Sequence, residues 1–394
     1  MKLIINLLNK HAKAWTPTRL TTGLRLRFSA PRMLGLTTVF LLASFTFAGS
    51  LADLVIPTNT ATTAAVVTGG SSNWWIGRHN GIVAKKNSMT NTQMIFLGAS
   101  VLDHWDAGFV NGYQRGAVVW TNYYIPRKSL DQGISGNKTQ NSLWQAQNGE
   151  IDGINPKIAL VCVGYNNKNT AEEIAWGQLA ILREIRIRCP NTKILFMPYL
   201  PATSSTWYNR NSYKAFKIAS ETNKIDNMVI SYEVTGAFTN ENGVLKEQSL
   251  VPDNLHPSES GYQLWAETME PVIVSLLSDT PPTNETVIID NGDLQTTNFV
   301  VELNLSADNP MPIFMQISES NDFSDANWFD YQTNYTWTFS APFETKTIYA
   351  RFSTGGDDIS DTASDTIKIV PEISVVGSLW PVVGMSLLGF RKYR

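Results

Sequence analysis

Residues 94–105 read MIFLGASVLDHW, an apolar run of strand length that ends in a Gly-Ala-Ser turn. Similar runs recur along the chain: NTQMIFLG (91–98) contains the first, and KIALVCVG (157–164) and KILFMPYLP (193–201) follow. Short apolar stretches bounded by turn residues are what strands buried on both faces look like. Between them, AEEIAWGQLAILREIRIR (171–188) has apolar residues at helical spacing. SSTWYNRNSYKAFKIASETN (204–223) reads as a second long helix, NMVISYEV (227–234) as a short strand, and SESGYQLWAETMEPVIVSLLS (258–278) as the last helix. NWWIGRHNGI predicts a helix ahead of the first strand. The alternation predicts an α/β, doubly wound parallel sheet with helices on both faces. In such sheets the ligand site lies beyond the carboxyl ends of the strands.

Four segments at such strand ends or turns carry reactive groups: MIFLGASVLDHW, GISGNKT (133–139), VCVGYNN (161–167) and PDNLHPSESGY (252–262). They hold Ser100, Gly136, Asn166 and the pair Asp253 and His256. A nucleophile, oxyanion donors, and a base with a carboxylate to orient it are the groups ester hydrolysis needs. Of the four histidines, His11 lies in a basic leader and His79 in the first helix, where packing or capping suits it. His104 follows Ser100 by four residues and could line the site, although its helix turn should point it away from the hydroxyl. His256 has a carboxylate three residues before it in a proline-bounded loop, so one loop can present imidazole and Asp253 together. Trp105, Tyr165 and Tyr199 sit near strand ends and are candidates for lining an acyl or sugar pocket, with core packing the alternative for each.

The four blocks resemble those of the SGNH (GDSL-type) esterases and lipases, which carry Ser, Gly, Asn and His in this chain order. GISGNKTQNSLWQAQNGEIDGINPKIALVCVGYNN (133–167) is most similar to the platelet-activating-factor acetylhydrolase-like branch, with its glycine turn, Leu-Trp, Gln-Asn-Gly-Glu and Gly-x-Asn-Asn. The resemblance covers residues 73–278 and implies a flavodoxin-like sheet. By position it also implies Ser100 as nucleophile, Gly136 and Asn166 as oxyanion donors beside the Ser100 N–H, and Asp253 with His256 completing the triad. It implies no metal and no cofactor. One departure is plain: the family's Gly-Asp-Ser is Gly98-Ala99-Ser100 here, so the carboxylate that orders neighbouring loops is missing.

Charge is segregated around this body. Residues 1–52 hold seven Lys or Arg and no acid, and an uncharged run at 33–52 follows them. That pattern predicts a secretory signal with a long basic start, a retained membrane anchor being the alternative. Residues 279–372 hold 3 basic and 16 acidic residues, so no basic stripe awaits a nucleic acid. Two cysteines, Cys162 in an apolar strand and Cys189 after a helix, read as buried thiols; a single disulfide is the alternative, although their spacing does not argue for it.

Composition divides the chain into a targeting segment (1–52), a linker (53–72), the hydrolase-like domain (73–278), a second linker (279–286), a β domain (287–371) and a tail (372–394). Short alternating stretches such as TNFVVELNLSA and KTIYARFS predict an all-β, antiparallel immunoglobulin-like sandwich. The acids in its turns, Asp322, Asp325, Asp357, Asp358 and Asp361, read as solvated, with a calcium site the minority alternative. The tail places Pro371-Glu372 before 18 uncharged residues and a terminal RKYR. Its layout resembles the PEP-CTERM sorting tail of exported bacterial proteins, although the usual second proline is Ile373 here. That implies a membrane span and a processing peptidase as partner; a plain anchor is the alternative. Together these features predict an exported, cell-surface serine esterase acting on short acyl, above all acetyl, esters of extracellular carbohydrate. Lipid is the second choice of substrate. A surface-attached carbohydrate-binding or adhesion protein with a degenerate hydrolase domain is the competing expectation.

Overall fold

The computed structural model describes residues 51–200, 210–241, 243–340 and 343–372. The leader up to residue 50, the tail from residue 373 and the start of the helix expected at 204–223 lie outside the described residues. The strands of the first domain are β1 (Met94–Gly98), a small hairpin of β2 (Phe109–Val110) and β3 (Tyr113–Gln114), then β4 (Ser129–Gly133), β5 (Ile158–Cys162), β6 (Lys193–Phe196) and β7 (Val229–Ser231). Five of them form a parallel sheet in the order β4-β1-β5-β6-β7. Gly98 at the end of β1 pairs with Gly133 on one side and Cys162 on the other. The strands that carry the site therefore end level with one another.

Alternation along each strand builds two apolar layers. Ile95, Leu97, Ala159, Val161, Ile194 and Phe196 pack with the helices Thr139–Gln147, Ala171–Arg188 and Asn211–Thr222. Met94, Phe96, Leu160, Cys162 and Leu195 pack on the other face with Trp105, Trp120, Tyr124 and the helix Glu259–Leu277. Local chemistry starts these helices where expected. Thr170 accepts the Glu173 N–H and Glu173 answers the Thr170 N–H, a reciprocal cap, and Ser258 accepts the Gly261 N–H at 3.2 Å. Two glycines are required by close approach: a Cβ on Gly98 would lie 2.1 Å from the Cys162 carbonyl oxygen, and one on Gly133 2.2 Å from the Asp103 nitrogen. These contacts press the Gly98-Ala99-Ser100 turn between the neighbouring strands.

Three expectations need correction. The stretch 53–72 does not run free as a linker: Leu54, Ile56 and Ala64 lie on the layer that holds Ile95, Leu97 and the helix Ala171–Arg188, and Ala61 is fully buried. The Thr139 hydroxyl donates to Ala61 O and the Asn141 amide to Ala65 O, both at 2.9 Å. Leu51 is buried in the same layer and Arg183 binds the Ala52 carbonyl, so these two residues belong to the fold and not to a targeting segment. Second, strand β4 and the helix Thr139–Gln147 were not read from the sequence, yet β4 forms one edge of the sheet. Third, the second domain starts earlier than residue 287, because its first strand, β8, spans Thr283–Ile289.

That domain continues with β9 (Gln295–Thr296), β10 (Val300–Asp308), β11 (Phe314–Ser318), β12 (Phe329–Asp330), β13 (Asn334–Thr338), β14 (Thr345–Ser353) and β15 (Ala363–Ile369). The strands form two sheets, β13-β10-β8 and β12-β11-β14-β15-β9, around a core of Val287, Leu303, Met315, Ile348, Phe352 and Ile367. Pairing is antiparallel except between β15 and β9, which run parallel. Strand β11 is buried throughout: Met315 points into this core, whereas Phe314 packs into the hydrolase core. Lys193 of β6 meets Asp358 at 2.7 Å, and the Ser275 hydroxyl binds the Met311 carbonyl. The two domains thus share apolar surface. Replacing Phe314 by Ala should destabilise the chain by about 3 kcal/mol or more. Urea denaturation followed by tryptophan fluorescence measures this, and an unchanged midpoint would contradict the shared core.

Candidate active site

Ser100 opens a one-turn helix, Ser100–Asp103, directly after β1 and is largely buried. The loop before the helix Glu259–Leu277 brings His256 to it, 156 residues away: His256 Nε2 accepts from the Ser100 hydroxyl at 2.9 Å. On the other side of the ring, Nδ1 lies 2.9 Å from Asp253 Oδ2. Asp253 Oδ1 accepts the backbone N–H groups of Leu255 and His256 at 3.1 and 2.7 Å. Partial burial opposes the charge on Asp253, but the donors from His256, Arg115 and Leu255 outweigh it and hold the carboxyl well below its usual range. Serine, imidazole and carboxylate form one hydrogen-bonded chain.

The loops carrying the candidate oxyanion donors meet beside it. Gly136 adopts φ +84°, a conformation that glycine tolerates, in the loop after β4. The next residue, Asn137, is fully buried; its side-chain amide donates to Gly98 O at 3.0 Å and its Oδ1 accepts from Trp75 Nε1 at 2.7 Å. Asn166, after β5, donates its amide to Asn137 O at 2.9 Å. The ends of β1, β4 and β5 are therefore tied through one residue, Asn137, by its side chain to β1 and its backbone carbonyl to the loop after β5.

The sequence pattern of the GDSL-like lipase/acylhydrolase family matches residues 96–264. Over those residues the chain is similar to this family. It is 29% identical over 217 residues to the rat platelet-activating factor acetylhydrolase IB subunit alpha2, spanning 54% of this chain and 90% of that one. The bovine alpha1 subunit is 30% identical over 128 residues, 32% of this chain and 51% of the relative. Among solved structures, one described as a putative platelet activating factor from Streptococcus pneumonia aligns at 18% identity, TM-score 0.42, over 50% of this chain and 94% of that one. A family two carbohydrate esterase from Clostridium thermocellum, in complex with cellohexaose, aligns at 13% identity and TM-score 0.35, over 47% and 65%. The protein is a carboxylic ester hydrolase.

Several residues of this acylhydrolase sit differently from the sequence expectation. Trp105 is fully buried, edge-on to Phe96 and Tyr124 and packed on Trp265, so it belongs to the core and not to the site wall. Tyr165 and Tyr199 stack with centroids 5.1 Å apart, and Arg210 lies over Tyr165 and bonds its hydroxyl. The Tyr199 hydroxyl lies beside Ser100 and Val101 but forms no well-aligned hydrogen bond. His104 packs its ring 4.6 Å from that of His256, while its Nε2 is 3.4 Å from the Ser135 hydroxyl. Burial, and then repulsion from a protonated His256, push His104 down to about 4, so it stays neutral beside the base. Two clefts, of about 620 and 190 Å³, lie elsewhere, lined by residues such as Asn91 and Lys128, or Asn223 and Trp328. The chemistry, not cleft size, locates the site.

Other groups at the site were missed in the sequence. Asp103, three residues after the nucleophile, accepts the Ser135 N–H at 3.0 Å and the Ser135 hydroxyl on one oxygen, while Arg78 grips the other at 2.9 Å. The carboxylate beside the glycine loop is supplied from this position, with Ala99 buried where the family carries its own. Arg115, fully buried, binds Asp253 Oδ2 at 2.7 Å. The spacing of Asp103 from Ser100 was a usable signal, since i and i+3 share a helix face; Arg115 offered none beyond the Asn-Gly turn before it. Replacing Asp103 by Ala leaves Ser135 without its acceptor and should lower kcat on the order of 10-fold with little change in KM. Steady-state hydrolysis of p-nitrophenyl acetate measures this.

Asp131 in β4 provides a pH signature. It is buried, with only the Gly133 N–H as partner at 2.8 Å and with Oδ2 unpartnered. Burial, then repulsion from Asp106, raise its pKa well above the ordinary value. Below about pH 4 the carboxyl is protonated in both folded and unfolded chains. Above that, the unfolded chain releases the proton and the folded chain keeps it, so stability falls as pH rises. Asp131→Asn removes that slope. Its urea midpoint should exceed that of the wild type at pH 8, with the difference shrinking towards pH 4.

Proposed function

We propose that this acylhydrolase is an exported serine esterase that removes short acyl groups, acetyl foremost, from extracellular carbohydrate. The observation that carries the reading is the continuous chain Ser100–His256–Asp253, with 2.9 Å at each link. As the Ser100 oxygen attacks the ester carbonyl, His256 Nε2 takes its proton, and Asp253 holds the ring in the tautomer with Nδ1 protonated. The tetrahedral oxyanion is met by the N–H groups of Ser100 and Gly136 and by the Asn166 amide, which turns from Asn137 O towards it. His256 then protonates the leaving alkoxide as the C–O bond breaks, giving alcohol and acyl-Ser100. Water, deprotonated by His256, attacks the acyl-enzyme; its collapse returns the proton to Ser100 and releases the acid.

The acetyl preference is supported by relatives that bear acetylhydrolase in their names. The half-buried ring of Tyr165, stacked on the buried Tyr199, suits a small acyl group or a sugar face. The carbohydrate and the export rest on the basic leader, the apolar tail and the trailing β domain. We take that domain, in its immunoglobulin-like reading, as a spacer, and the tail as a PEP-CTERM-like sorting segment met by a membrane peptidase. The competing view, a degenerate binding domain, drew on Ala99; the Asp103 contact to Ser135 answers the missing carboxylate. The test is p-nitrophenyl acetate hydrolysis by residues 51–372 beside Ser100→Ala and Asn166→Ala. Loss of Ser100 should abolish turnover, and loss of Asn166 should reduce kcat on the order of 100-fold. Equal rates for wild type and Ser100→Ala would sink the esterase mechanism. Acetate release from acetylated polysaccharides, against acetylated phospholipid, decides the substrate class.

A further inference from the structure

Arg115 has no counterpart among the four motif blocks, yet it touches every part of the base. Its Nη2 donates to Asp253 Oδ2 at 2.7 Å, and its Nη1 donates to the carbonyls of His256 and Pro257 at 2.9 and 2.8 Å. These contacts span 138 to 142 residues of sequence. The backbone of Arg115 is anchored on the nucleophile side. Its N–H donates to Gly108 O at 2.8 Å, and the N–H of Gly116 donates to His104 O at 3.2 Å. Gly116 presses so close to Trp105 that a Cβ there would lie 2.6 Å from the Trp105 carbonyl oxygen. One residue therefore links the segment that carries Ser100 to the loop that carries His256.

We propose that Arg115 is the positioning residue of the Asp253–His256 pair: it sets the distance of the imidazole from Ser100 and moderates how strongly Asp253 attracts a proton to that imidazole. The proposal rests on the reading of Ser100, His256 and Asp253 as a catalytic triad. A simple packing role does not account for the residue. Arg115 is fully buried and its Nε–H has no partner, and buried ion pairs contribute little net stability compared with an apolar side chain of the same size. What an apolar residue cannot do is bind three acceptors on one loop while placing a fixed cation beside the carboxylate.

The electrostatic consequence has a definite sign. Asp253 Oδ2 is shared by Arg115 and His256, so the guanidinium offsets part of the charge that would stabilise an imidazolium. Among the described residues, the His104 ring packs 4.6 Å from that of His256 and is held neutral near neutral pH, and Asp103, which acts on His104, is tied to Arg78. Tyr199 and Ser100 complete the surroundings of His256. Removing the cation at Arg115 favours protonation of His256 and thereby inactivates the base at low pH. Arg115 thus extends the active range of the esterase towards acid while aligning the base.

The test compares the full chain with Arg115→Gln and Arg115→Lys, using kcat and KM for p-nitrophenyl acetate between pH 4 and 9. The His256 ring is titrated in parallel by ¹H–¹³C NMR. Arg115→Gln should lower kcat about 10-fold or more with KM changed by less than about twofold, and move both the acid limb and the His256 midpoint up by about half a pH unit or more. Arg115→Lys keeps the charge but cannot span the three acceptors, so kcat falls while the midpoint stays near that of the wild type. A folded Arg115→Gln protein with an unshifted His256 midpoint would overturn the electrostatic role. Wild-type kcat in Arg115→Lys would overturn the positioning role, and this readout stands even where Arg115→Gln fails to fold. If Ser100→Ala were as active as wild type, the triad reading would fail, yet the NMR midpoint would still report on Arg115.

Discussion

The buried amide of Asn137 is the constraint on which the site depends. Its nitrogen donates to Gly98 O and to the Gln145 side chain, its Oδ1 accepts from Trp75, and its backbone carbonyl accepts from Asn166. Leaving any one of these buried polar groups unpaired costs about 1–3 kcal/mol. The loop after β4 therefore has one low-energy position relative to the nucleophile turn. The network runs deeper: Gln145 donates to both oxygens of Glu150, fully buried, and Glu150 meets His79 at 2.8 Å. Trp75 and His79 stand on the helix Ser72–Ser88, which precedes the region matched by the family. The loop after β4 is thus braced from outside the domain's recognisable motifs.

The same network explains what was legible in the sequence and what was not. Strands β1, β5, β6 and β7 show as apolar runs because both of their faces meet hydrocarbon. Strand β4 reads Ser-Leu-Asp-Gln-Gly and is buried at every position, but Asp131 and Gln132 point into polar surroundings at the sheet edge. A strand whose interior is hydrogen-bonded loses the apolar signature that pattern reading depends on. Cys162 and Cys189 were read as buried thiols, and both are buried and free. Trp105 misled because nearness to a strand end in sequence does not fix direction: Phe96, Tyr124, Tyr262 and Trp265 draw the ring inward.

At the site, Ser100, His256 and Asp253 were identifiable because each occupies a loop of distinctive composition, and the structure brings them into contact. Arg115 was not, since a single charged residue in a short polar segment carries no pattern, and Asp103 was legible only through its spacing from Ser100. Both nevertheless act on elements that the motifs name, Asp103 through Ser135 beside Gly136, and Arg115 through Asp253. The Ala99 departure loses weight for this reason. What orders a loop is a carboxylate within reach of its N–H groups, and the position in the chain from which it comes is secondary.

The β domain adds a constraint of a different kind. Its polar contacts with the parallel sheet include Lys193, which begins β6, and Asn227, just before β7. These are the amino ends of the parallel strands, whereas Ser100, Asn166 and Tyr199 follow carboxyl ends. Among the described residues, the second domain supplies no group to the triad or its loops. It is held by a shared apolar strand, with Phe314 in one core and Met315 in the other, and not by a flexible tether alone. The second domain therefore packs at the end of the sheet opposite to Ser100 and Asn166.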